Sequence, residues 1–195
     1  MSILAIDPGT TKSGWALLTD SGATVKDFGW FDNEKIYTLI KSFGCPVVIE
    51  DVAHYGMPVG RDIFETVRWT GRFDHLATES LGLDVMYITR PTIKAALCNS
   101  VKATDANVRQ AVIDWYGGDA VAIGGKKCLN CAGKGWRGRE HTECVECEGE
   151  GVLSPRGQLF GASSHVWSAL ALGITYSTRR ERNHKTWALS EVKIY

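Results

Sequence analysis

Two carboxylates stand at the ends of apolar segments, where a buried strand would otherwise continue. Asp7 closes the segment ILAID and leads into Pro8 and Gly9, and Glu50 lies near the end of PVVIED. In an open α/β sheet the ligand crevice lies beyond the carboxyl ends of the strands, so both acids would face it if their strands were parallel neighbours. Two close anions repel each other unless a cation compensates, and a pair of magnesium ions activates water in phosphodiester hydrolysis. Alternatively, Asp7 only caps the turn that follows it.

A second group of residues has metal-ligand spacing. The phrases CLNCAGKG and CVECEGEG give C-x2-C-x12-C-x2-C, with ligands at Cys128, Cys131, Cys144 and Cys147. Four thiolates at this spacing predict one structural, tetrahedral Zn²⁺, and the alternative is two disulfides or a redox pair. The repeat resembles the zinc-binding repeats of DnaJ-type modules, which implies no chaperone activity. Its basic half and its acidic half cancel in charge, but a face with Trp136, Arg137 and Arg139 could stack on bases and contact phosphates.

The elements that must position these residues are those of an α/β domain. Apolar patterning predicts three meandering strands, two later strands and several helices. The strands are predicted at 2–7, 13–19, 23–30, 46–52 and 83–89, and the helices at 33–43, 61–81, 91–98, 104–116 and 163–178. We therefore expect a mixed five-stranded sheet flanked by helices, within one domain over 1–195 that is interrupted by a zinc-binding insertion at 124–158.

Composition sets the broad class. The chain has 195 residues, a formal net charge of zero and 44% hydrophobic residues, which is typical of a globular domain. It has no apolar run of about 18–20 residues and no basic segment before a cleavage site, so we expect neither a membrane span nor export. This context favours metal thiolates over disulfides and a cytoplasmic location, in the host cytoplasm if the chain is phage-encoded.

Several segments in order resemble one nuclease family. IDPGTTKSGWALL resembles the first strand pair of the RuvC-type Holliday-junction resolvases, which have an RNase H-like fold. VVIED then contains the second acid, RPTIKAALC the segment with a DNA-contacting lysine, and HVWSALALGI the last helix. The segment YGMPVGRDIFETVRWTGRF is similar to what bacteriophage members carry after the second acid. The resemblance covers most of the chain outside 120–160.

This resemblance implies a catalytic site. Its residues would be Asp7, Glu50 and His165 as ligands of Mg²⁺ or Mn²⁺, two ions per site, with Ser168 in the fourth position. The family has an acid where this chain has Ser168, so a second ion would bind weakly, through water or with help from Asp51. A structural histidine on a half-buried helix is the alternative for His165.

The resemblance also implies DNA contacts. Lys94 matches a DNA-contacting lysine of the family, and Lys102 or Arg109 would replace a second one. Arg68 and Arg72 lie on the long helix, where they would contact phosphates or form a solvated face.

Branched DNA and a second copy of the chain are the implied partners. Members of the family are homodimers, and a four-way junction has matching two-fold symmetry. Phe64, Trp69 and Phe73 are candidates for the dimer interface or for the core.

Three functions remain open from the sequence. The first is a structure-specific endodeoxyribonuclease that cleaves four-way junctions or related branched DNA. The second is a junction-binding protein of the same fold that does not cleave, which Ser168 favours. The third is an actin- or sugar-kinase-like ATPase, because DPGTT also resembles the phosphate-binding turn of that superfamily, although a single domain without a second phosphate loop speaks against it.

Overall fold

A computed structural model describes residues 1–53, 56 and 60–191, with only the backbone described for 181–191. The chain forms two compact units, of which the larger comprises Met1–Val112 with Ala162–Tyr195 and the smaller Ile113–Gly161. Within the described residues, no helix combines the length and the apolar character that crossing a membrane requires.

The larger unit is built on a five-stranded mixed sheet. Its strands are β1 (Ser2–Asp7), β2 (Lys12–Thr19), β3 (Val25–Asp32), β4 (Val47–Asp51) and β5 (Val85–Thr89). They lie in the order β3-β2-β1-β4-β5, with antiparallel pairing among the first three and parallel pairing of β4 with β1 and with β5. The expected mixed five-stranded sheet with flanking helices is therefore confirmed.

The helices follow the predicted order with shifted ends. They are α1 (Asn33–Phe43), α2 (Arg61–His75) with a π-helical turn at Leu76–Ser80, α3 (Arg90–Cys98), α4 (Asp105–Trp115), α5 (Asp119–Ala122) and α6 (Ser164–Glu191). Helix α1 ends at Phe43 and is capped by Gly44, whose amide donates to the Ile40 carbonyl from a left-handed backbone (φ 51°). The prediction that the last helix ends near 178 was wrong, because α6 continues to Glu191.

The sheet is covered on both faces. One face carries Leu4, Ile6 and Ile49, which pack with residues of α1 and α2, including Ile36 and Phe73. The other face lies against α6, where a Cβ on Gly173 would come within 2.5 Å of the Leu18 side chain. Burial from both sides explains why β1 reads as a continuous apolar run rather than an alternating one.

The smaller unit contains α5 and two short antiparallel strands, β6 (Trp136–Arg137) and β7 (Thr142–Glu143). Its two CxxCxGxG motifs have the same backbone conformation. Each places three consecutive or near-consecutive residues in the left-handed region, namely Ala132, Gly133 and Gly135 in the first and Glu148, Gly149 and Gly151 in the second. The glycines are also required by close approach, because a Cβ on Gly151 would lie 2.6 Å from the Gly133 carbonyl oxygen.

Candidate active site

The register of the sheet brings the two strand-end acids together. In the parallel β1–β4 pair, Ile6 is opposite Ile49, so Asp7 and Glu50 are the next pair along the two strands. Parallel neighbours are about 4.8 Å apart and residues in matched register point to the same face, which here is the face covered by α6. Asp51 is one residue further and therefore points to the opposite face, so it is not available to this site.

Helix α6 reaches the acids because the strand beneath its first turn carries a glycine. Gly14 is the β2 partner of Asp7, and a Cβ on it would lie 2.6 Å from the carbonyl carbon of His165 and overlap the carbonyl oxygen. Only a residue without a side chain permits this approach. The start of α6 can therefore lie directly on the sheet, with His165 beside Asp7.

His165 is held from two sides. Its Nδ1 lies 3.2 Å from Asp7 Oδ2, and its ring stacks on the exposed Trp30 with centroids 5.7 Å apart and an interplanar angle of 15°. Trp30 is the β3 partner of Gly14, so Trp30, Gly14, Asp7 and Glu50 form a row across one face of the sheet. The imidazole side chain remains 53% exposed and so is accessible to a ligand.

Arg90, the first residue of α3, contacts the other half of the site. Its Nη1 lies 3.5 Å from Glu50 Oε2 and 3.3 Å from Ser168 Oγ, while Nη2 donates a hydrogen bond of 2.7 Å to Asp105 Oδ1. The side chains of Glu50 and Arg90 are 15% and 22% exposed. One guanidinium therefore joins Glu50, Ser168 and Asp105.

The titration of these groups reflects their surroundings. Burial, together with the charge of Asp7, raises the pKa of Glu50 from 4.5 to about 7, although Arg90 partly opposes this rise. The hydrogen bond with Asp7 raises the pKa of His165 against the opposing effect of burial. The hydrogen bond from Arg90 lowers the pKa of the Asp105 carboxyl. The centre of the site is thus short of positive charge.

A cavity of about 600 Å³ opens beside these residues. It is lined by Arg90, Asp105, Ala106, Val108, Arg109, Ala162, Ser163, Ser164, His165, Trp167 and Ser168. The Arg109 guanidinium lies 4.9 Å above the Trp167 ring, and Lys94 Nζ is 3.8 Å from Asp105 Oδ1. Two of the basic residues predicted to contact DNA, Lys94 and Arg109, therefore lie near the acids.

The other predicted basic residues lie elsewhere. Lys102 is exposed. Arg68 pairs with Glu65 at 2.7 Å, and Arg72 lies 4.5 Å above the Trp69 ring, both on the helix that covers the opposite face of the sheet.

The aromatic residues of α2 divide between core and surface. Phe73 is fully buried in the core, whereas the side chain of Phe64 is 57% exposed. Of the two roles considered for Phe73, core packing is therefore the one that the structure shows.

Two atoms of the acidic site have the spacing of two ligands of one divalent ion. Octahedral ligands about 2.1 Å from Mg²⁺ lie about 3.0 Å apart, close to the 3.2 Å between Asp7 Oδ2 and His165 Nδ1. Carboxylate oxygen and imidazole nitrogen are ligands that Mn²⁺ accepts, and Mg²⁺ favours oxygen ligands. Within the described part of the chain, however, only the four cysteines bring three or more candidate ligands within 4.8 Å of one another.

The cysteines of the smaller unit form a preorganised ligand set. The sulfurs of Cys128 and Cys144 are 3.9 Å apart, and those of Cys131 and Cys147 are 3.7 Å apart. A tetrahedral ion with Zn–S bonds of about 2.3 Å needs sulfurs about 3.8 Å apart. The amide of Gly135 donates to the Cys131 sulfur at 3.3 Å, and Gly151 makes the matching bond to Cys147. These four cysteines could bind zinc without rearrangement.

Comparison with solved structures identifies the fold. No protein-family model matches the sequence, and no curated protein matches it. A structure of Thermus thermophilus RuvC superimposes with a TM-score of 0.58 at 16% identity, over 93% of this chain and 97% of that chain. T. thermophilus RuvC in complex with a Holliday junction substrate gives 0.55 at 17% identity, over 92% and 96%. The chain has a RuvC-type, RNase H-like fold.

Three residues of the site were not found from the sequence. Arg90 precedes Pro91 at the end of β5, so the argument that assigned Asp7 and Glu50 to strand ends would also have indicated Arg90. Gly14 and Trp30 had no such signal, because their role depends on the register of β1, β2 and β3. Part of the phage-like segment, residues 55 and 57–59, lies outside the described residues.

Proposed function

We propose that this chain is a metal-dependent endodeoxyribonuclease that cleaves four-way junctions or related branched DNA. The observation that carries the proposal is the register that sets Asp7 beside Glu50 at the carboxyl ends of β1 and β4 in a RuvC-type sheet. His165 of α6 lies against Asp7. Of the similar structures, T. thermophilus RuvC is described in complex with a Holliday junction substrate, which makes branched DNA the first substrate to test.

In this proposal Asp7, Glu50 and His165 hold Mg²⁺ or Mn²⁺. A bound ion supplies a water of lowered pKa and stabilises negative charge on the phosphate. During hydrolysis the water oxygen forms a bond to phosphorus, the bond from phosphorus to one sugar oxygen breaks, and that oxygen leaves with a proton. The half-exposed imidazole of His165 either binds the ion or orients the attacking water, while Trp30 and Asp7 keep its ring in place.

The DNA would lie across the cavity next to these residues. Lys94 and Arg109 line or adjoin this cavity and would hold the phosphate backbone, and Lys102 lies just before α4. Phosphate contacts of this kind fix position rather than sequence. Arg68 and Arg72, on α2, would contact only DNA that extends to the other side of the sheet.

We further propose a homodimer, because a four-way junction is two-fold symmetric and a symmetric dimer would present two sites. Exposed apolar residues on α2 support a buried interface there. They are Ile63, Phe64 and Val67.

The smaller unit is proposed to hold one structural Zn²⁺ through its four cysteines, since a closed shell of thiolates leaves no position open for catalysis. It would then be an insertion within a single nuclease domain over 1–195, as the pattern at 124–158 predicts. Half-buried Trp136 contacts the His141 ring at a tilt of 50° and its ring lies 5.0 Å from Lys134 Nζ, so it could take part in a DNA-contacting face with Arg137 and Arg139. A bacteriophage origin stays a proposal based on the segment around α2.

A second candidate function is junction binding without cleavage. Ser168 provides no charge, and Arg90 already contacts Glu50, so the site could have lost its ions while keeping its DNA surface. This candidate and the nuclease predict the same binding and differ in whether DNA is cut.

One experiment separates them. The purified full chain is incubated with a labelled four-way junction and with linear duplex, with Mg²⁺, with Mn²⁺ and with chelator. The nuclease proposal expects metal-dependent cuts in the junction, a loss of at least 10²-fold in Asp7→Asn, and normal cleavage in Asp51→Asn, the matched carboxylate on the opposite face. Tight junction binding with no cutting under any condition would instead support the second candidate.

A further inference from the structure

The guanidinium of Arg90 contacts a different set of side chains from His165, although both line the same cavity. It contacts Glu50 and Ser168 through Nη1 and Asp105 through Nη2. On the other side, Asp7 contacts His165. Asp7 therefore has the imidazole as its side-chain partner, and Glu50 has a cation, the guanidinium, as its partner.

Charge counting favours one ion over two. Asp7 and Glu50 contribute two negative charges, Arg90 contributes one positive charge, and Ser168 contributes none. Asp105, 2.7 Å from Arg90, adds one negative charge and Lys94, 3.8 Å from Asp105, adds one positive charge, so these two cancel. One divalent ion would bring this set to a net charge of about +1, and a second would bring it to about +3. Buried or half-buried charges of one sign are costly unless they are compensated, so a second ion is disfavoured.

A guanidinium can supply to a phosphate the positive charge that a second metal ion would otherwise supply. It is always charged, and its planar N–H donors match the oxygens of a phosphate. The Nη1 contacts of 3.5 and 3.3 Å are long, so a phosphate oxygen could replace them, whereas the 2.7 Å bond to Asp105 anchors the group. Arg90 also lines the cavity beside the site, which makes it accessible to a substrate.

We propose that this site takes a single divalent ion, held by Asp7, His165 and Glu50, and that Arg90 supplies the second positive charge to the phosphate. The inference rests on the proposed nuclease function. It assigns Ser168 the role of an uncharged neighbour that leaves room for the guanidinium, in place of an acid that would hold a second ion.

The test counts ions by Mn²⁺ electron paramagnetic resonance on the full-length, zinc-loaded protein. The wild type is expected to bind one Mn²⁺ at the acidic site with an uncoupled signal. The double variant Arg90→Ala/Ser168→Asp removes the resident cation and adds an acid, and it is expected to bind two Mn²⁺ with the broadened signal of ions about 4 Å apart. Two coupled ions in the wild type would overturn the inference, whether or not the double variant folds.

Cleavage of a four-way junction gives the second readout. Arg90→Ala is expected to lower the cleavage rate by about 10²–10³-fold, and Arg90→Lys to recover part of it because the charge is kept. Arg156→Ala, which removes an arginine that lies above Phe160, serves as the control and is expected to cleave normally. An unchanged rate in Arg90→Ala would overturn the inference.

The two proposals fail in different ways. If the wild type cleaves junctions and binds a coupled pair of ions, the nuclease function stands and the role of Arg90 is wrong. If it binds one Mn²⁺ but cuts no DNA, the nuclease function fails and the inference about catalysis by Arg90 fails with it.

Discussion

Replacing Glu50 by glutamine should stabilise the metal-free protein at neutral and alkaline pH. Glu50 is only 15% exposed, and burial together with the charge of Asp7 raises its pKa from 4.5 to about 7. A carboxyl whose pKa is raised in the folded state binds its proton more tightly there than in the unfolded chain. Its favourable contribution is complete below pH 4.5 and is lost as pH rises through about 7.

The size of the effect follows from the two pKa values. A rise from 4.5 to about 7 corresponds to about 3 kcal/mol between the two protonation states. The free energy of unfolding of Glu50→Gln minus that of the wild type should therefore be smallest near pH 4.5. It should increase between pH 5 and 7, and approach about 3 kcal/mol above pH 8, because glutamine remains neutral throughout. His165 titrates in the same direction in both proteins, so it cancels to first order in the comparison.

The measurement is urea unfolding of both proteins in chelator-treated buffer at several pH values from 4.5 to 8.5. Asp51→Asn is the control, because it removes an exposed carboxylate from the neighbouring position of β4, on the opposite face of the sheet. Addition of Mg²⁺ at pH 8 should then stabilise the wild type but not Glu50→Gln, since an ion that binds only the folded state adds to its stability. A difference between Glu50→Gln and wild type that does not change with pH would refute the reasoning.

Two further predictions concern the packing of α6 and the cysteines. Gly14→Ala should lower the free energy of unfolding in urea by about 1–3 kcal/mol and reduce junction cleavage, because the added methyl group displaces His165. Gly71→Ala, with open space around it in α2, should be neutral or stabilising by up to about 1 kcal/mol. Equal effects of the two changes would contradict this account. Metal analysis should find one zinc per chain. Cys131→Ser should lose the zinc and show faster amide exchange across 113–161, whereas Cys98→Ser should retain the zinc. Full zinc content in Cys131→Ser would exclude the four-cysteine site.

The fold was predictable because its signals are local. Apolar runs ending in Asp7 and Glu50 indicated buried strands that lead to a site, and short turns between the first three strands excluded crossover helices. The four cysteines were predictable for the same reason, since both halves of the ligand set are short repeats whose glycines set the backbone. The end of α6 could not be predicted from the sequence, because its last turns have a polar, basic sequence that is equally typical of an irregular tail.

The composition of the site was less predictable because it depends on pairing between distant strands. Gly14 and Trp30 lie in strands that read only as apolar, and their place beside His165 follows from registers that span three strands. Arg90 contacts Glu50 across 40 residues and Ser168 across 78, separations at which a single sequence gives no pairing signal. The position of Arg90 at a strand end can be read locally, but its pairing with Glu50 and Ser168 cannot.

If the site binds an ion as proposed, Arg90 also explains how it can remain folded without that ion. A buried carboxylate pair with no cation would be strongly destabilising, and the guanidinium 3.5 Å from Glu50 reduces that cost. The reduction is incomplete, because the pKa of Glu50 still rises to about 7. In the proposed complex, a divalent ion next to Asp7 and His165 would relieve the remaining destabilisation, which would raise the ion affinity by up to about 10²-fold for about 3 kcal/mol. A stronger pairing, with Arg90 fully engaged by Glu50 at a shorter distance, would stabilise the empty site at the expense of that affinity.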